Sequence, residues 1–157
     1  MKKILALLLV CVLALSFVAC SKDDTKTNDT TPAVKGEIDT TPDVKGEGVM
    51  TYAEYIAAEL ETQVTIETYV QAKQGWWEKD GVGVATFYTQ DKDGAYFIYD
   101  MPCSQEDYNK MVAGTKIKVT GYKKAWEGEI EIMDVSAYEI EEGSYIAPAF
   151  DVTALLS

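Results

Sequence analysis

The side chains that can act as acids, bases or nucleophiles in this 157-residue chain are carboxylates, lysines, tyrosines and three cysteines. Histidine and arginine are absent, since all 14 basic residues are lysines. This composition excludes a histidine zinc ligand, a serine–histidine or cysteine–histidine dyad, and the guanidinium fork that binds phosphate. Adjacent carboxylates such as Glu141 and Glu142 are more typical of a solvated surface than of an acid–base pair. We therefore predict that the protein is not an enzyme.

One group of acidic residues has a spacing that partly matches a calcium-binding loop. Asp91, Asp93, Gly94 and Asp100 occupy positions three, five, six and twelve of an EF-hand-like pattern that starts at Thr89. Threonine is a poor first ligand, aspartate at the last position is shorter than the usual glutamate, and the flanking segments have the patterns of strands. A tight hairpin turn in which Gly94 has a positive φ explains these residues better. No metal site and no cofactor is predicted.

The N-terminal segment indicates where the protein is located. Two lysines precede an apolar run that ends at Cys20, which is the plan of a secretory signal, and the run is short for a bilayer span. Its last four residues, Phe17-Val18-Ala19-Cys20, resemble the lipobox of bacterial lipoproteins. That resemblance implies a signal peptide over residues 1–19 and a lipid on Cys20 that anchors the chain, outside the cytoplasm, to the cell membrane or outer membrane. An ordinary signal peptide and an uncleaved anchor are the alternatives.

The three cysteines are expected to have separate fates. Cys11 is lost with the signal peptide and Cys20 carries the lipid, so Cys103 is the single thiol of the mature chain. No cationic neighbour in the sequence would lower its pKa. We therefore expect Cys103 to be a small buried hydrophobic residue rather than a reactive nucleophile.

Composition divides the chain into segments. Residues 20–48 are predicted to be a disordered tether, because they lack aromatic residues and contain a ten-residue repeat, at 29–38 and 39–48, with a proline in each copy. A folded domain is predicted over residues 49–141. Residues 142–157 are expected to be a strap that packs on this domain or the start of a further module.

Local patterns within the domain predict mostly β structure with two short helices. The capping box of Thr51 and Glu54 predicts the start of the first helix, and Ser104 with Asp107 predicts the start of the second. Alternation of apolar and polar residues predicts five strands. These strands are expected at 62–72, 82–90, 95–101, 115–125 and 129–140, with a loop over 73–81.

Five strands with a helix between the third and fourth is the order of the OB-fold. The local sequence is similar as well: FYTQDKDGAYFIYD resembles the second and third strands of that fold, and VAGTKIKVTGYKKAWEGEIEI resembles the fourth and fifth. The domain thus resembles the OB modules of bacterial surface lipoproteins. The resemblance implies a five-stranded Greek-key barrel, with a helix between strands three and four and a short helix in front.

The resemblance also implies a ligand-binding face, which OB-folds form from strands two and three and from the first and last hairpin loops. Alternation directs Phe87 and Ile98 to the core and their neighbours outward. Aromatic residues on such a face suit sugar rings, peptides or neutral bases. The residues expected to contact a ligand are Trp76 and Trp77 in the first loop, Trp126 in the last loop, and Tyr69, Tyr88, Phe97 and Tyr99 on the strands.

The function predicted from these features is non-enzymatic binding of an oligosaccharide, an envelope glycan or a protein partner by a lipid-anchored module. A second hypothesis is single-stranded nucleic-acid binding through Lys116, Lys118, Lys123 and Lys124. The net charge of −12 and the absence of arginine disfavour it, because attraction to the phosphate backbone dominates such binding. A third hypothesis is a structural adaptor whose aromatic residues only close the ends of the barrel.

Overall fold

The computed structural model describes residue 41, residues 43–149 and residues 151–153. The predictions for the signal peptide, for Cys20 and for the first copy of the repeat lie outside these residues, as does the C-terminal end after residue 153. Within the described residues the protein is mostly β, as predicted, with two short helices.

Six strands form one sheet that curves into a barrel-like ring. In chain order the elements are α1 (Tyr52–Ala57), β1 (Gln63–Lys73), β2 (Trp77–Lys79), β3 (Val82–Gln90), β4 (Ala95–Pro102), α2 (Gln105–Lys110), β5 (Thr115–Trp126) and β6 (Glu129–Ser144). The sheet order is β1-β5-β6-β4-β3-β2, and the ring closes because β1 also pairs with β3. The pairing of β4 with β6 is parallel, with Ile98 opposite Ile132, and the other pairings are antiparallel.

The core of the ring consists of the inward-facing residues of its strands. Phe87 and Ile98 are fully buried, which confirms the alternation predicted for β3 and β4. Burial of one such side chain contributes about 1.5–3 kcal/mol to folding. Other fully buried core residues are Val64, Ile66, Val70, Ile117, Val119 and Ile132.

The structure adds one strand to the five that were predicted. Trp77–Lys79, inside the segment predicted to be a loop, forms β2 and pairs with the start of β3. Asp80 and Gly81 join these two strands with φ values of 53° and 80°, and a two-residue type I′ hairpin turn requires positive φ at both positions. A strand of three residues is too short for alternation to reveal it, so the Asp-Gly pair was the available signal.

The turn between β3 and β4 corrects the prediction for Gly94, whose φ is not positive. The ring of Tyr52 from α1 lies where a Cβ atom of residue 94 would stand. Glycine is therefore required here by the close approach of a helix, not by the backbone conformation. Asp91 organises the turn, since its Oδ1 accepts the backbone N–H groups of Asp93 and Gly94 at 2.8 and 2.7 Å.

Helix α1 covers one end of the barrel, which we call the closed end and define by Tyr55, Asp91, Tyr96 and Lys123. The capping box of Thr51 and Glu54 starts this helix as predicted. Tyr55 is 2% exposed, and its ring centroid lies 5.1 Å from that of Tyr96. Burial raises the pKa of Tyr55 to about 12, which is consistent with a ring sealed from solvent.

Lys123, on β5, ends the helix at the closed end. Its Nζ donates hydrogen bonds to the backbone carbonyl groups of Tyr55, Ile56 and Ala58 at 3.0, 2.8 and 2.7 Å. These carbonyl groups belong to the last turn of α1, where a helix has no internal donors left, so a cation there is stabilising. The lysine is thus a structural cap.

The segments that flank the barrel also contact it. Lys45, in the stretch predicted to be tether, places its Nζ 2.7 Å from Asp91 Oδ2 and donates to the carbonyl of Glu67. After β6, the backbone N–H of Ala147 donates to Oε1 of Gln71 at 2.9 Å. Contacts with the barrel therefore begin before residue 49 and continue beyond residue 144.

Candidate ligand-binding groove

Three aromatic residues form a row on the outer face of β3 and β4. Tyr88 and Phe97 stack with their ring centroids 5.1 Å apart, and Phe97 lies 6.3 Å from Tyr99. These rings project outward because their neighbours Phe87 and Ile98 fill the core. The sequence-predicted aromatic face thus exists at these three positions.

A β-bulge redirects the end of this row. The pairing of β4 with β3 shifts between Ala85 and Phe87, so that Tyr99 and Asp100 together lie opposite Thr86. Asp100 has a φ of 45°, and its backbone N–H donates to Oγ1 of Thr86 at 3.2 Å. A bulge of this kind changes the direction of side chains beside it and is frequent next to functional sites.

Beside the bulge lies a cavity of about 240 Å³, lined by Tyr99, Trp126, Glu131 and Met133. A second cavity, of about 160 Å³, shares Tyr99 and Met133 with the first and extends along β4 and β6. We call the two together the groove. Its further lining residues are Lys79, Asp100, Pro102, Asp134 and Val135.

Trp126 lines the groove, and Trp77 lies near it, beside the lining residue Lys79. Trp126, at the tip of the β5–β6 hairpin, is 66% exposed, and Trp77, on β2, is 46% exposed. The Nζ of Lys79 is 2.7 Å from Asp100 Oδ2 and within 5.9 Å of the ring centroids of Trp77 and Tyr99. The ion pair with Asp100 raises the pKa of Lys79, so this lysine is a fixed positive charge in the wall.

Strained backbone is concentrated around the groove. The described residues include five non-glycine positions with positive φ, and Asp80, Asp100, Glu127 and Asp134 are four of them. Asp80 and Glu127 belong to the two hairpin turns, whereas Asp100 and Asp134 belong to irregular stretches of β4 and β6. The positive φ values of Asp80 and Glu127 are those that their hairpin turns require. At Asp100 and Asp134, which line the groove, such conformations cost about 1–3 kcal/mol each, and strain of this kind clusters at functional sites.

Glu131 is the groove residue that sequence reasoning missed. Alternation along β6 predicts that Glu129 and Glu131 face solvent, yet Glu131 is 4% exposed. The cavity walls formed by Tyr99 and Trp126 cover it. Burial, followed by the negative charges of Glu129 and Asp100, raises the pKa of its carboxyl group. Alternation predicted the face of β6 on which Glu131 lies, but it did not predict the burial of this residue. Two of the side chains that line the cavity with it belong to β4 and to the tip of the β5–β6 hairpin.

Two of the residues expected to contact a ligand lie elsewhere. The indole N–H of Trp76 donates to the carbonyl of Cys103 at 3.0 Å, and its ring covers Gly83, so this tryptophan is part of the packing. Tyr69 places its ring against Tyr145, with centroids 5.5 Å apart, rather than against the aromatic row of β3 and β4. The structure therefore brings together Tyr88, Phe97 and Tyr99 in one row and places Trp126 beside Tyr99 in the cavity. Trp77 lies near them through Lys79, which approaches the rings of both Trp77 and Tyr99.

Three of the four lysines considered for nucleic acid are engaged by the protein itself. Lys123 caps α1 at the closed end. Lys116 lies 2.9 and 2.8 Å from the carboxylates of Glu67 and Glu141, and Lys124 lies 2.6 Å from a carboxylate on β6. Carboxylates balance the charges of Lys116 and Lys124, and carbonyl groups occupy the ammonium of Lys123, which weakens the case for a basic patch.

Cys103 is buried, as predicted, with 7% of its surface exposed. Burial, together with the nearby charge of Asp107, raises the pKa of its thiol to about 11. The thiol is therefore protonated at neutral pH, and the thiolate that nucleophilic chemistry requires is scarce.

The chain matches no protein-family model and no curated protein. Among the described residues, no helix is long and apolar enough to cross a membrane.

Proposed function

We propose that this chain is an extracytoplasmic lipoprotein, anchored through a lipid on Cys20, that presents a non-enzymatic OB-fold binding module. The signal-like N-terminus and its terminal cysteine support the anchor. Five long strands in a closed ring, with α2 between β4 and β5, support the OB-fold assignment. The short strand β2 is then an addition within the first hairpin loop.

The observation that carries the binding proposal is the groove. OB-folds bind oligonucleotides and oligosaccharides on the face of their second and third strands, between the first and last loops. In this chain those elements are β3 and β4, the β2 hairpin with Trp77, and the β5–β6 turn with Trp126. The groove lies at one border of that face, which supports ligand binding there.

An oligosaccharide fits the groove better than the other candidate ligands. Exposed aromatic rings offer flat apolar surfaces to the faces of sugar rings, and the carboxylate of Glu131 can accept hydrogen bonds from hydroxyl groups. A nucleic acid would bring phosphates towards Glu131, Asp134 and Asp100 in a protein whose net charge is −12. We therefore propose a glycan of the cell envelope or its surroundings as the ligand.

Binding without hydrolysis is also part of the proposal. Glycoside hydrolysis uses two carboxyl groups on opposite sides of the scissile bond. Glu131 is one carboxylate in the groove, but Asp100 and Asp134 are held by Lys79 and Lys124 at 2.7 and 2.6 Å. Their ion pairs favour a structural role for both aspartates.

The test is calorimetric titration of the full-length chain in detergent with a panel of envelope glycans and plant or host oligosaccharides. We expect binding by at least one glycan class, and Trp126→Ala is expected to weaken it by about tenfold or more, because a stacking aromatic residue is worth roughly 1–3 kcal/mol. Ile146→Ala removes a side chain that is equally exposed, at 65%, outside the groove, and is expected to leave binding unchanged. Binding of single-stranded oligonucleotides in place of glycans would contradict the proposal, as would glycan binding that Trp126→Ala does not affect.

A further inference from the structure

Glu131 is a buried carboxylate without a partner inside the protein. It lines the larger cavity and is 4% exposed. Across the residues that the structure describes, no protein group forms a hydrogen bond or ion pair with its oxygen atoms. These oxygens are not fully enclosed, so they face the space of the cavity. Buried polar groups in native proteins are nearly always hydrogen-bonded, so the partner of this carboxylate comes from the cavity, as water in the free protein or as a group of a bound ligand.

Two negative charges act on Glu131, and among the described residues only one of them, that of Asp100, is paired with a lysine. Glu129, two residues earlier on β6, and Asp100, on the neighbouring strand β4, both disfavour its ionised form in addition to burial. A neutral hydroxyl group from a ligand would satisfy a hydrogen bond but would leave this excess of negative charge in place. A protonated amine would provide both the hydrogen bond and the opposite charge, which stabilises a buried carboxylate more strongly.

The lysines around the groove do not supply that positive charge. Lys79 on β2 is bound by Asp100 at 2.7 Å. Lys124 on β5 lies opposite Glu131 in the register of the sheet, but its Nζ is 2.6 Å from Asp134. Each lysine thus neutralises another carboxylate of the wall, and Glu131 is left for the ligand.

The remaining walls of the cavity favour a ring that bears the amine. The aromatic faces of Tyr99 and Trp126 attract cations, since the face of an aromatic ring carries negative potential. The ring of Trp126 is two-thirds exposed and extends beyond the cavity. A flat ligand can cover this ring, whereas a linear alkylamine would leave most of it in contact with water. A sugar ring with an amino substituent can place its ammonium group near Glu131 and the aromatic rings, and its flat face on Trp126.

We infer that the groove selects a glycan with a free, protonated amino group, which places its ammonium against Glu131 and a sugar ring against Trp126. This inference rests on the proposed function and narrows its ligand class from glycans in general to amino sugars that are not acetylated.

The experiment compares two probes with the same backbone, β-1,4-linked tetramers of glucosamine and of N-acetylglucosamine. Both are titrated calorimetrically into the full-length chain in detergent at about pH 6 and about pH 7, because sugar amines are less basic than lysine and their protonated fraction increases towards the lower pH. We expect the glucosamine tetramer to bind at least about tenfold more tightly, as a charge-assisted hydrogen bond implies. Glu131→Gln is expected to abolish this preference while retaining the binding of the N-acetylated tetramer, which also reports that the variant is folded.

The matched control is Glu139→Gln, which makes the same change at an exposed position of the same strand. It removes one negative charge outside the groove and is expected to keep the preference for the glucosamine tetramer. An equal loss of this preference in both variants would mean that cations are attracted to the acidic surface in general, and it would overturn the inference. Equal or tighter binding of the N-acetylated tetramer would overturn the inference but leave the proposed function standing. Binding of neither tetramer nor any other glycan would end both, and Glu131-dependent binding of a pentalysine peptide alone would assign the site to a peptide instead.

Discussion

The closed end and the groove are built from the same kinds of residue, yet they differ in how buried charge is satisfied. At the closed end, Asp91 is fully buried, and its Oδ2 is 2.7 Å from Nζ of Lys45 and accepts the hydroxyl of Tyr96 at 2.9 Å. In the groove, Glu131 is almost as deeply buried beside Tyr99, and no described residue bonds to its carboxylate. Aromatic rings and a buried carboxylate therefore do not by themselves distinguish a site from a core.

The difference follows from the elements that border each region. The closed end is covered by α1, whose last carbonyl groups bind Lys123, and by a turn whose backbone N–H groups bind Asp91. The groove is bordered by two hairpin turns and by bulged strands, whose charged residues pair with one another, as Lys79 does with Asp100. The buried charges of the closed end, Asp91 and Lys123, are thus paired within the protein, whereas the carboxylate of Glu131 has no partner among the described residues.

The largest effect that this comparison predicts is at Asp91. Asp91→Ala leaves the ammonium of Lys45 and the hydroxyl of Tyr96 without their partner and removes two hydrogen bonds of the turn. We expect the free energy of unfolding to fall by about 3–5 kcal/mol, the cost of breaking a buried ion pair, in denaturant titrations followed by tryptophan fluorescence. Asp93→Ala, in the same turn but exposed, is expected to change the free energy of unfolding by less than about 1 kcal/mol. Similar losses in the two variants would contradict a special structural role for the buried charge at the closed end.

A smaller effect is predicted at Lys123. Lys123→Met keeps the apolar stem but removes the ammonium group from the carbonyl groups of Tyr55, Ile56 and Ala58. We expect a loss of about 1–3 kcal/mol in the free energy of unfolding, because buried acceptors lose their donor. Lys118→Met, on the same strand but less buried, serves as the control. A loss at Lys118 as large as that at Lys123 would show that the cap contributes nothing of its own.

Local sequence signals predicted most of the strands and both helices. The capping box of Thr51 and Glu54 and the alternation that buries Phe87 and Ile98 depend on residues that are adjacent or nearly adjacent in the chain. Interactions between residues close in the chain do not depend on the tertiary fold, so their signals can be recognised in a single sequence. Strand β2 was not predicted, because it has only three residues and pairs only with the start of β3.

The groove was predicted less completely because it depends on contacts between distant segments. Alternation directed Glu131 outward, but the side chains that bury it come from β4 and from the tip of the β5–β6 hairpin. Neighbouring tryptophans were likewise separated by the fold: Trp76 packs on Gly83, whereas Trp77 faces solvent. In the same way, the pairing of Lys45 with Asp91 joins residues on opposite sides of the predicted domain boundary.

The smallest predicted effect has the opposite sign and depends on pH. Since burial and the charges of Glu129 and Asp100 raise the pKa of Glu131 in the folded state, ionisation of this group favours the unfolded chain. This loss of stability is absent below the ordinary pKa of about 4.5, where Glu131 is protonated in both the folded and the unfolded state. It grows as the pH rises from there through the raised pKa of the folded state. Glu131→Gln is therefore expected to increase the free energy of unfolding at neutral pH by no more than about 1 kcal/mol, since its oxygens keep contact with the cavity. It is expected to have little effect near pH 4. Denaturant titration at both pH values measures this, with Glu139→Gln as the control. A stabilising effect of this substitution would agree with a binding role for Glu131, because such roles commonly cost stability. A loss of stability in Glu131→Gln at neutral pH would instead place Glu131 with Asp91 among the structural charges.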